Sequence, residues 1–342
     1  MKKGFFLIRK TAFKVFCLVI LFVLLFFLFA FQIELLRSQH SKVFPQTIQE
    51  LVKQRDVWRG EMRQNGSLDF YNKLKDVYNY SGIQHAVAHL FGELLYELEG
   101  VDGVVVCDES FFYGCFHSFM SKAVAENGIE ILGQINEYCL DKFGGRETGC
   151  QHGLGHAILQ FRGLSNLSDA LKDCDSFRIG SGSCKTGVFM EFNLPIIEGA
   201  GGVDVKVREL IDEDYYYPCY SVDEADVDEC VLELPRWWMM LKNEDIKEIG
   251  LLCDGLPDEY KSYCFEAIGQ QLDLHDVSVV RSGCDLMPNR SARVDCLVGG
   301  SWGVFSWPGR KDESLLVCEG LSDQERKKCP SIIEVELGYK NR

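Results

Sequence analysis

The chain has 342 residues, and its 51 acidic and 36 basic side chains give a net charge of −15 at pH 7. The five basic residues before position 15 contribute +5 to that total, so the rest of the chain carries −20. A surface this acidic argues against nucleic acid or anionic lipid as its partner. The length after the first residues suits one large repeat domain or two ordinary ones.

An apolar segment near the N-terminus predicts a membrane anchor. The run from Val15 to Phe31 is unbroken and continues through Ile33, Leu35 and Leu36, so residues 15–36 are long enough to cross a bilayer as a helix. No small-residue cleavage site follows, and residues 1–14 form a basic tail, which favours a cytoplasmic N-terminus. We therefore expect a single-pass signal-anchor in a cell or secretory-pathway membrane, with the remaining chain extracytoplasmic.

Residues 37–80 are polar, with apolar side chains at helical spacing, and predict a juxtamembrane stalk of one or two helices. Residues 81–342 hold fourteen of the fifteen cysteines and form the predicted extracytoplasmic domain. These fourteen fall into seven close pairs, and an even, evenly paired set predicts a disulfide framework. The pairs are Cys107 and Cys115, Cys139 and Cys150, Cys174 and Cys184, Cys219 and Cys230, Cys253 and Cys264, Cys284 and Cys296, and Cys318 and Cys329.

The cysteine pairs recur every 31 to 45 residues, which is the length of a helix–turn–helix repeat. Helical spacing precedes first cysteines, as in Asn243 to Cys253, turn-forming residues separate the members of a pair, and apolar helices follow the second cysteine. The predicted fold class is all-α, with disulfide-stapled helix hairpins that form a solenoid or an α/α toroid. The long interval around Tyr215 to Pro218 predicts a loop insertion.

Aligning the repeats on their second cysteine shows two columns of histidines. His117 and His152 lie two residues after that cysteine, and His156 lies six residues after it. His85 and His89 occupy both columns of an earlier, degenerate repeat. Composition alone gives about 0.14 His-x3-His pairs, whereas the chain has two. Histidines four residues apart share a helix face, so five imidazoles are placed to share one or two metal ions.

The predicted metal ligands are His85, His89, His117, His152 and His156, with Glu93 as a carboxylate ligand or an acceptor for an imidazole N–H. Nitrogen ligands suit zinc, copper, nickel or iron, while two histidines could instead be axial ligands of non-covalent haem. Glycines beside the second pair (Gly149, Gly153, Gly155) permit close approach either to a site or between helices. Repeated core histidines without a metal are the competing interpretation.

Two functions therefore remain open on the sequence. The first is a membrane-anchored protein with a histidine-rich metal site, acting as a metal-dependent hydrolase or oxidase through an open coordination position. The second is a non-enzymatic repeat scaffold that binds a protein or a glycan, with structural histidines. The sequence contains no other nucleophile–base pattern that we would assign.

Overall fold

The computed structural model describes residues 44–45, 47–78, 83–143, 148–177, 179–197, 204–205, 207–305 and 310–329. Nearly all of the regular structure in these ranges is helical. The helices are α1 Ile48–Leu51, α2 Arg55–Asn65, α3 Ser67–Tyr78, α4 Gln84–Glu99, α5 Gly114–Asn127, α6 Ile131–Phe143, α7 Thr148–Arg162, α8 Leu167–Asp175, α9 Ser181–Asn193, α10 Val227–Leu241, α11 Ile246–Asp254, α12 Asp258–Gln271, α13 Val277–Cys284, α14 Arg290–Phe305, α15 Lys311–Val317 and α16 Asp323–Arg326.

Short elements complete the description. Four 3₁₀ segments lie at Val52–Gln54, Gly100–Val106, Leu164–Asn166 and Glu224–Asp226. Two strands of two residues, β1 Ile196–Ile197 and β2 Asp204–Val205, form an antiparallel hairpin within the predicted insertion. The all-helical class is thus confirmed apart from this hairpin.

All seven predicted disulfides are present. Each links a neighbouring pair of cysteines, with a sequence separation of 8 to 12 residues. Six of them fasten the chain before a long helix to the first or second turn of that helix, as Cys139 in α6 to Cys150 in α7. In the chain-entropy account, a bridge across a loop of this length stabilises the fold by about 3 kcal/mol.

The elements before the first cysteines differ more than the sequence suggested. Cys174 and Cys253 lie in helices α8 and α11, as expected. Cys107 instead follows the 3₁₀ segment Gly100–Val106, and Cys219 follows a series of turns that contains a cis Tyr217–Pro218 bond. The stapled units therefore share their second helix more closely than their first.

The second helices pack against one another in chain order, α4 on α5, α5 on α7, α7 on α9, α9 on α10, α10 on α12 and α12 on α14. Backbone contact between α7 and α9 depends on two glycines. A Cβ at Gly155 would lie 1.9 Å from the Cys184 carbonyl oxygen, and one at Gly187 would lie 2.0 Å from the His152 carbonyl oxygen. For Gly155 the sequence left open a site or close helix packing, and tight helix packing applies. The contact brings α9, which carries Thr186 and Glu191, against the histidine-bearing helix α7.

Helices α2 and α3 contact α4 and contribute core residues, although the sequence suggested a stalk leading into the domain. Trp58 on α2 and Phe70 on α3 are fully buried and meet edge to face with ring centroids 5.5 Å apart. The predicted membrane anchor, residues 15–36, lies outside the described residues. Among the helices that the structure describes, none has the length and apolar character needed to cross a bilayer.

Candidate metal centre

Five histidines converge where α4, α5 and α7 pack side by side. His85 and His89 lie on α4, His117 on α5, and His152 and His156 on α7. The His117 ring lies between the two pairs, with centroid distances of 5.3 and 5.5 Å to the first pair and 5.7 and 4.4 Å to the second. Two groups have ligand atoms within 4.8 Å of one another and could hold a metal ion: His85, His89 and His117, and His117, His152 and His156.

The cluster is buried at its base and partly exposed at one edge. His89, His117 and His156 are 2%, 3% and 0% exposed, whereas His85 and His152 are intermediate. Both partly exposed rings belong to the column two residues after the second cysteine, whose third member, His117, is buried. An ion or a small ligand would therefore approach past His85 and His152.

The tautomers of the second pair follow from its hydrogen bonds. The Thr186 hydroxyl donates to the Ser183 carbonyl (2.8 Å), so it accepts from His152 Nδ1 (2.9 Å). The buried Glu191 carboxylate accepts from His156 Nδ1 at 2.8 Å. Each ring thus carries its proton on Nδ1 and turns an Nε2 lone pair inward.

Those two inward Nε2 atoms are only 3.1 Å apart. Two lone pairs at this distance repel each other unless a cation lies between or beside them. Adjacent ligands in a tetrahedral zinc site, with bonds of about 2.0–2.1 Å, have nitrogens roughly 3.3 Å apart. The spacing of the pair therefore suits two ligands of one ion with small adjustment.

The first pair has a related arrangement. His85 Nδ1 donates to the Phe111 carbonyl oxygen at 2.8 Å, which leaves its Nε2 as an acceptor, 3.0 Å from His89 Nε2. His89 can donate to it, but His89 Nδ1 then remains buried without a hydrogen-bond partner. In this pair, therefore, His85 has hydrogen-bond partners for both ring nitrogens, whereas His89 has one for Nε2 only.

A strained segment positions the Phe111 carbonyl. Phe111, Phe112 and Tyr113 have φ values of 57°, 56° and 61°, so three consecutive non-glycine residues lie in the left-handed region directly before α5. Each such residue costs about 1–2 kcal/mol relative to the right-handed region. The Cys107–Cys115 disulfide encloses this segment and holds it beside His85.

His117 differs from the other four rings. Both Nδ1 and Nε2 are buried and neither has a hydrogen-bond partner. A neutral imidazole has one N–H donor and one acceptor, and each unsatisfied buried group costs about 1–3 kcal/mol. Core histidines kept for packing are ordinarily paired, so His117 is poorly explained by packing alone.

The electrostatics keep the rings neutral and ready for coordination. Burial lowers the pKa of all five, well below the usual range for His89, His117 and His152, and to about 3 for His156. Mutual repulsion between the rings adds to the effect at His89 and His117. Because a metal ligand must be unprotonated, no proton has to leave these rings before an ion binds at neutral pH.

A positive side chain on α10 also acts on the cluster. The charge of Arg236 on α10 adds to burial in lowering the pKa of His85, His152 and His156. Its neighbour Glu233 is 3.5 Å away, and burial raises the pKa of that carboxyl to about 7. Arg236 lies six residues after Cys230, as His156 does after Cys150, but nothing in that spacing indicated its role.

Glu93 does not join the histidines. Its carboxylate accepts a hydrogen bond from Arg55 on α2, in a network that includes Arg59 and Glu97. The reason is geometric: Glu93 lies one turn beyond His89 on α4, on the part of the helix that α2 covers. The carboxylate that accepts from an imidazole N–H is instead that of Glu191, on α9, which the sequence did not single out.

The donor set defines the chemistry that the centre can support. Buried nitrogen ligands, with every cysteine of the domain oxidised, suit zinc, copper, nickel or iron. Axial haem ligands would need Nε2 atoms roughly 4 Å apart across the iron, given metal–nitrogen bonds of about 2.0 Å. Neither four-residue pair fits, because their Nε2 atoms are 3.0 and 3.1 Å apart.

Comparison with protein-family models, with curated proteins and with solved structures finds no match to this chain. What is shown is a helical, disulfide-rich protein in which two groups of buried histidines could hold a metal ion.

Proposed function

We propose that this chain is a membrane-anchored, extracytoplasmic helical-repeat protein that binds a divalent transition metal at its five-histidine centre. One observation carries the proposal: the His152 and His156 Nε2 lone pairs face each other at 3.1 Å, with both Nδ1 atoms already committed as donors. A cation removes that repulsion. The unpaired nitrogens of His89 and His117 support the same conclusion.

The chemistry that we propose is hydrolytic or oxidative. Each histidine group supplies three nitrogens, which leaves an open position for water, oxygen or a substrate atom. That position faces the edge where His85 and His152 are partly exposed. The Arg236 charge near the same histidines favours a substrate or an intermediate with negative charge.

The carboxylate–histidine contact supports a functional centre as well. Glu191 is 1% exposed and accepts from His156 Nδ1, the arrangement that orients histidine ligands and raises their basicity in metal sites. Thr186 and the Phe111 carbonyl do the same for His152 and His85. Three of the five rings are therefore held with Nε2 directed at the centre.

The test is metal analysis of the purified, oxidised full-length chain, before and after chelation and reconstitution. We compare it with the His152→Ala/His156→Ala double variant and with His275→Ala, a matched control in which an exposed histidine outside the cluster is removed. We expect about one or two equivalents of a transition metal in the parent and the control, as the three-ligand groups imply, and less in the double variant.

A second readout covers the case in which the double variant does not fold. Saturating metal should raise the midpoint of thermal unfolding of the parent chain, since an ion at 100 times its Kd stabilises the native state by about 2.7 kcal/mol. If the parent chain binds no metal and shows no thermal shift after reconstitution, the metal centre is excluded. The histidines would then be packing residues, and a repeat scaffold that binds a protein or a glycan would be the better function.

The anchor is tested separately. The full chain expressed in a eukaryotic secretory pathway should stay with the membrane through alkaline carbonate extraction, while a chain without residues 1–36 should be released. Protease should reach the cysteine-rich domain only from the luminal or external side. Release of the full chain by carbonate would contradict the anchor without affecting the metal centre.

A further inference from the structure

We propose that the centre holds two metal ions and that the His117 ring bridges them, with one ring nitrogen on each. The inference rests on the proposed metal binding and adds the number of ions and the ligand that connects them. The juxtaposition that suggests it is simple. Two complete three-histidine groups exist, and His117 is the one residue common to both.

The position of His117 suits a bridge. Its helix, α5, packs between α4 and α7, so the ring has one pair of histidines on each side. Its centroid lies 5.3 Å from that of His85 and 4.4 Å from that of His156. Among the described residues, no group with ligand atoms within 4.8 Å of one another combines the two pairs, so one ion cannot take the inward nitrogens of both pairs and of His117 as they are placed.

The hydrogen bonds distinguish a bridge from an ordinary ligand. A histidine on one metal coordinates through one nitrogen and gives its other N–H to an acceptor. His85, His152 and His156 follow this pattern with Phe111, Thr186 and Glu191. His89 Nδ1 and the second nitrogen of His117 both lack an acceptor, but His89 belongs to one histidine group and His117 to both. Coordination of His117 to one ion would leave a buried N–H unsatisfied. Coordination at both nitrogens leaves none.

The protons and charges balance in this arrangement. Neutral His117 binds the first ion through its unprotonated nitrogen, and its remaining N–H proton passes to solvent when the second ion binds at the other nitrogen. No electron is transferred. The resulting imidazolate carries one negative charge between two divalent ions, and the buried Glu191 carboxylate behind His156 offsets part of what remains.

The bridge has a consequence for mechanism. With metal–nitrogen bonds of about 2 Å on both sides of the ring, the ions would lie roughly 6 Å apart. Two-metal hydrolases that share a single bridging water hold their ions about 3.5–4 Å apart. A ring-bridged pair therefore favours two linked but separate open positions, each with three nitrogen ligands.

The experiment is copper titration of the metal-free, oxidised full-length chain, with bound metal determined by elemental analysis and unpaired spins by low-temperature electron paramagnetic resonance. We expect two ions per chain. Copper(II) ions joined through an imidazolate couple antiferromagnetically, so the integrated spin should fall well below the copper content. A sample loaded with one copper and one zinc should recover full spin for its copper and thus serves as the control for coupling.

Two variants test whether His117 is the bridging ligand. In His117→Ala any copper that remains should show full spin, whereas His275→Ala should behave as the parent. One ion per chain, or two ions with full spin in the parent, would overturn the bridge and leave the proposed metal binding intact. Absence of bound metal would overturn both. The parent measurement stands by itself if His117→Ala does not fold.

Discussion

Replacing Gly155 by alanine tests the helix contact that places Thr186 and Glu191 against the histidines of α7. The added Cβ would lie 1.9 Å from the Cys184 carbonyl oxygen and 2.7 Å from the Val188 nitrogen. Both are backbone atoms of α9, so no side chain can move aside. Ordinary van der Waals contact begins near 3.4 Å. Helices α7 and α9 would therefore have to separate by roughly 1.5 Å, a shift that close-packed interiors resist.

Two effects lower the free energy of unfolding of this variant and one raises it. Overpacking costs about 1–3 kcal/mol, and the separation would stretch the 2.8 Å contact of His156 with Glu191 beyond hydrogen-bonding range, adding about 1–3 kcal/mol. Alanine in place of glycine within a helix returns about 1 kcal/mol. We expect a net loss of about 1–5 kcal/mol in the free energy of unfolding, together with weaker metal binding.

The assay is guanidinium unfolding of the oxidised, metal-free protein, with Gly60→Ala as the matched control. Gly60 lies within α2, and a Cβ there would meet nothing within 4 Å. That variant should gain about 0.5–1 kcal/mol from helix propensity alone. If Gly155→Ala is as stable as the parent, or gains stability as Gly60→Ala does, the close approach of α7 and α9 is wrong.

Three further predictions concern single side chains. Glu191→Ala should lower metal affinity about 10–100-fold by freeing His156, whereas Glu191→Gln, which keeps an acceptor, should lower it less; isothermal titration measures both. Arg236→Gln should strengthen metal binding several-fold, because a positive charge near the histidines is removed, and unchanged affinity would place Arg236 outside their field. Burial, with Asp295, raises the pKa of Glu266 to about 7. Ionisation of Glu266 therefore lowers the stability of the folded state as pH rises from about 4.5 to 7. Glu266→Gln should stabilise the protein by about 1–2 kcal/mol at pH 8 and by nothing at pH 4. Equal effects at both pH values would refute this.

The disulfide framework could be predicted from the sequence because spacing limits it strongly. Cysteines 8 to 12 residues apart, separated by turn-forming residues between helical segments, are brought together by any helix hairpin. The high helix content could be predicted as well, because helical segments flank the cysteine pairs. The description of these units as one repeat array remains our interpretation, since the segment before Cys219 consists of turns and the one before Cys107 is 3₁₀.

The candidate site was predictable only as far as spacing along one helix reaches. The four-residue interval places His152 and His156 on one face of α7, and Thr186 lies two residues after Cys184, as His152 does after Cys150. That spacing could not indicate that Thr186 would accept from His152. Hydrogen bonds between helices depend on their register and separation, which glycine contacts such as that of Gly155 set.

Glu93 and Glu191 illustrate the same limit. A carboxylate one turn after His89 on the same helix was the natural expectation for a partner to an imidazole. The structure gives that side chain to Arg55, because α2 packs over this part of α4. The carboxylate that contacts an imidazole comes from α9, and the sequence separation of 35 residues carries no local signal.

The buried histidine cluster is costly in stability, and the disulfides help to offset that cost. Three ring nitrogens of His89 and His117 are buried without partners, at about 1–3 kcal/mol each. Such a sum approaches the whole stability of an ordinary domain, about 5–15 kcal/mol.

The bridges Cys107–Cys115, Cys139–Cys150 and Cys174–Cys184 flank the helices of the centre, and each contributes about 3 kcal/mol in the chain-entropy account. They can therefore offset the unsatisfied rings and keep the ligands in place before any ion arrives. A centre held in place in this way would bind an ion without having to fold around it, unlike small metal-dependent domains, which unfold when the metal is removed.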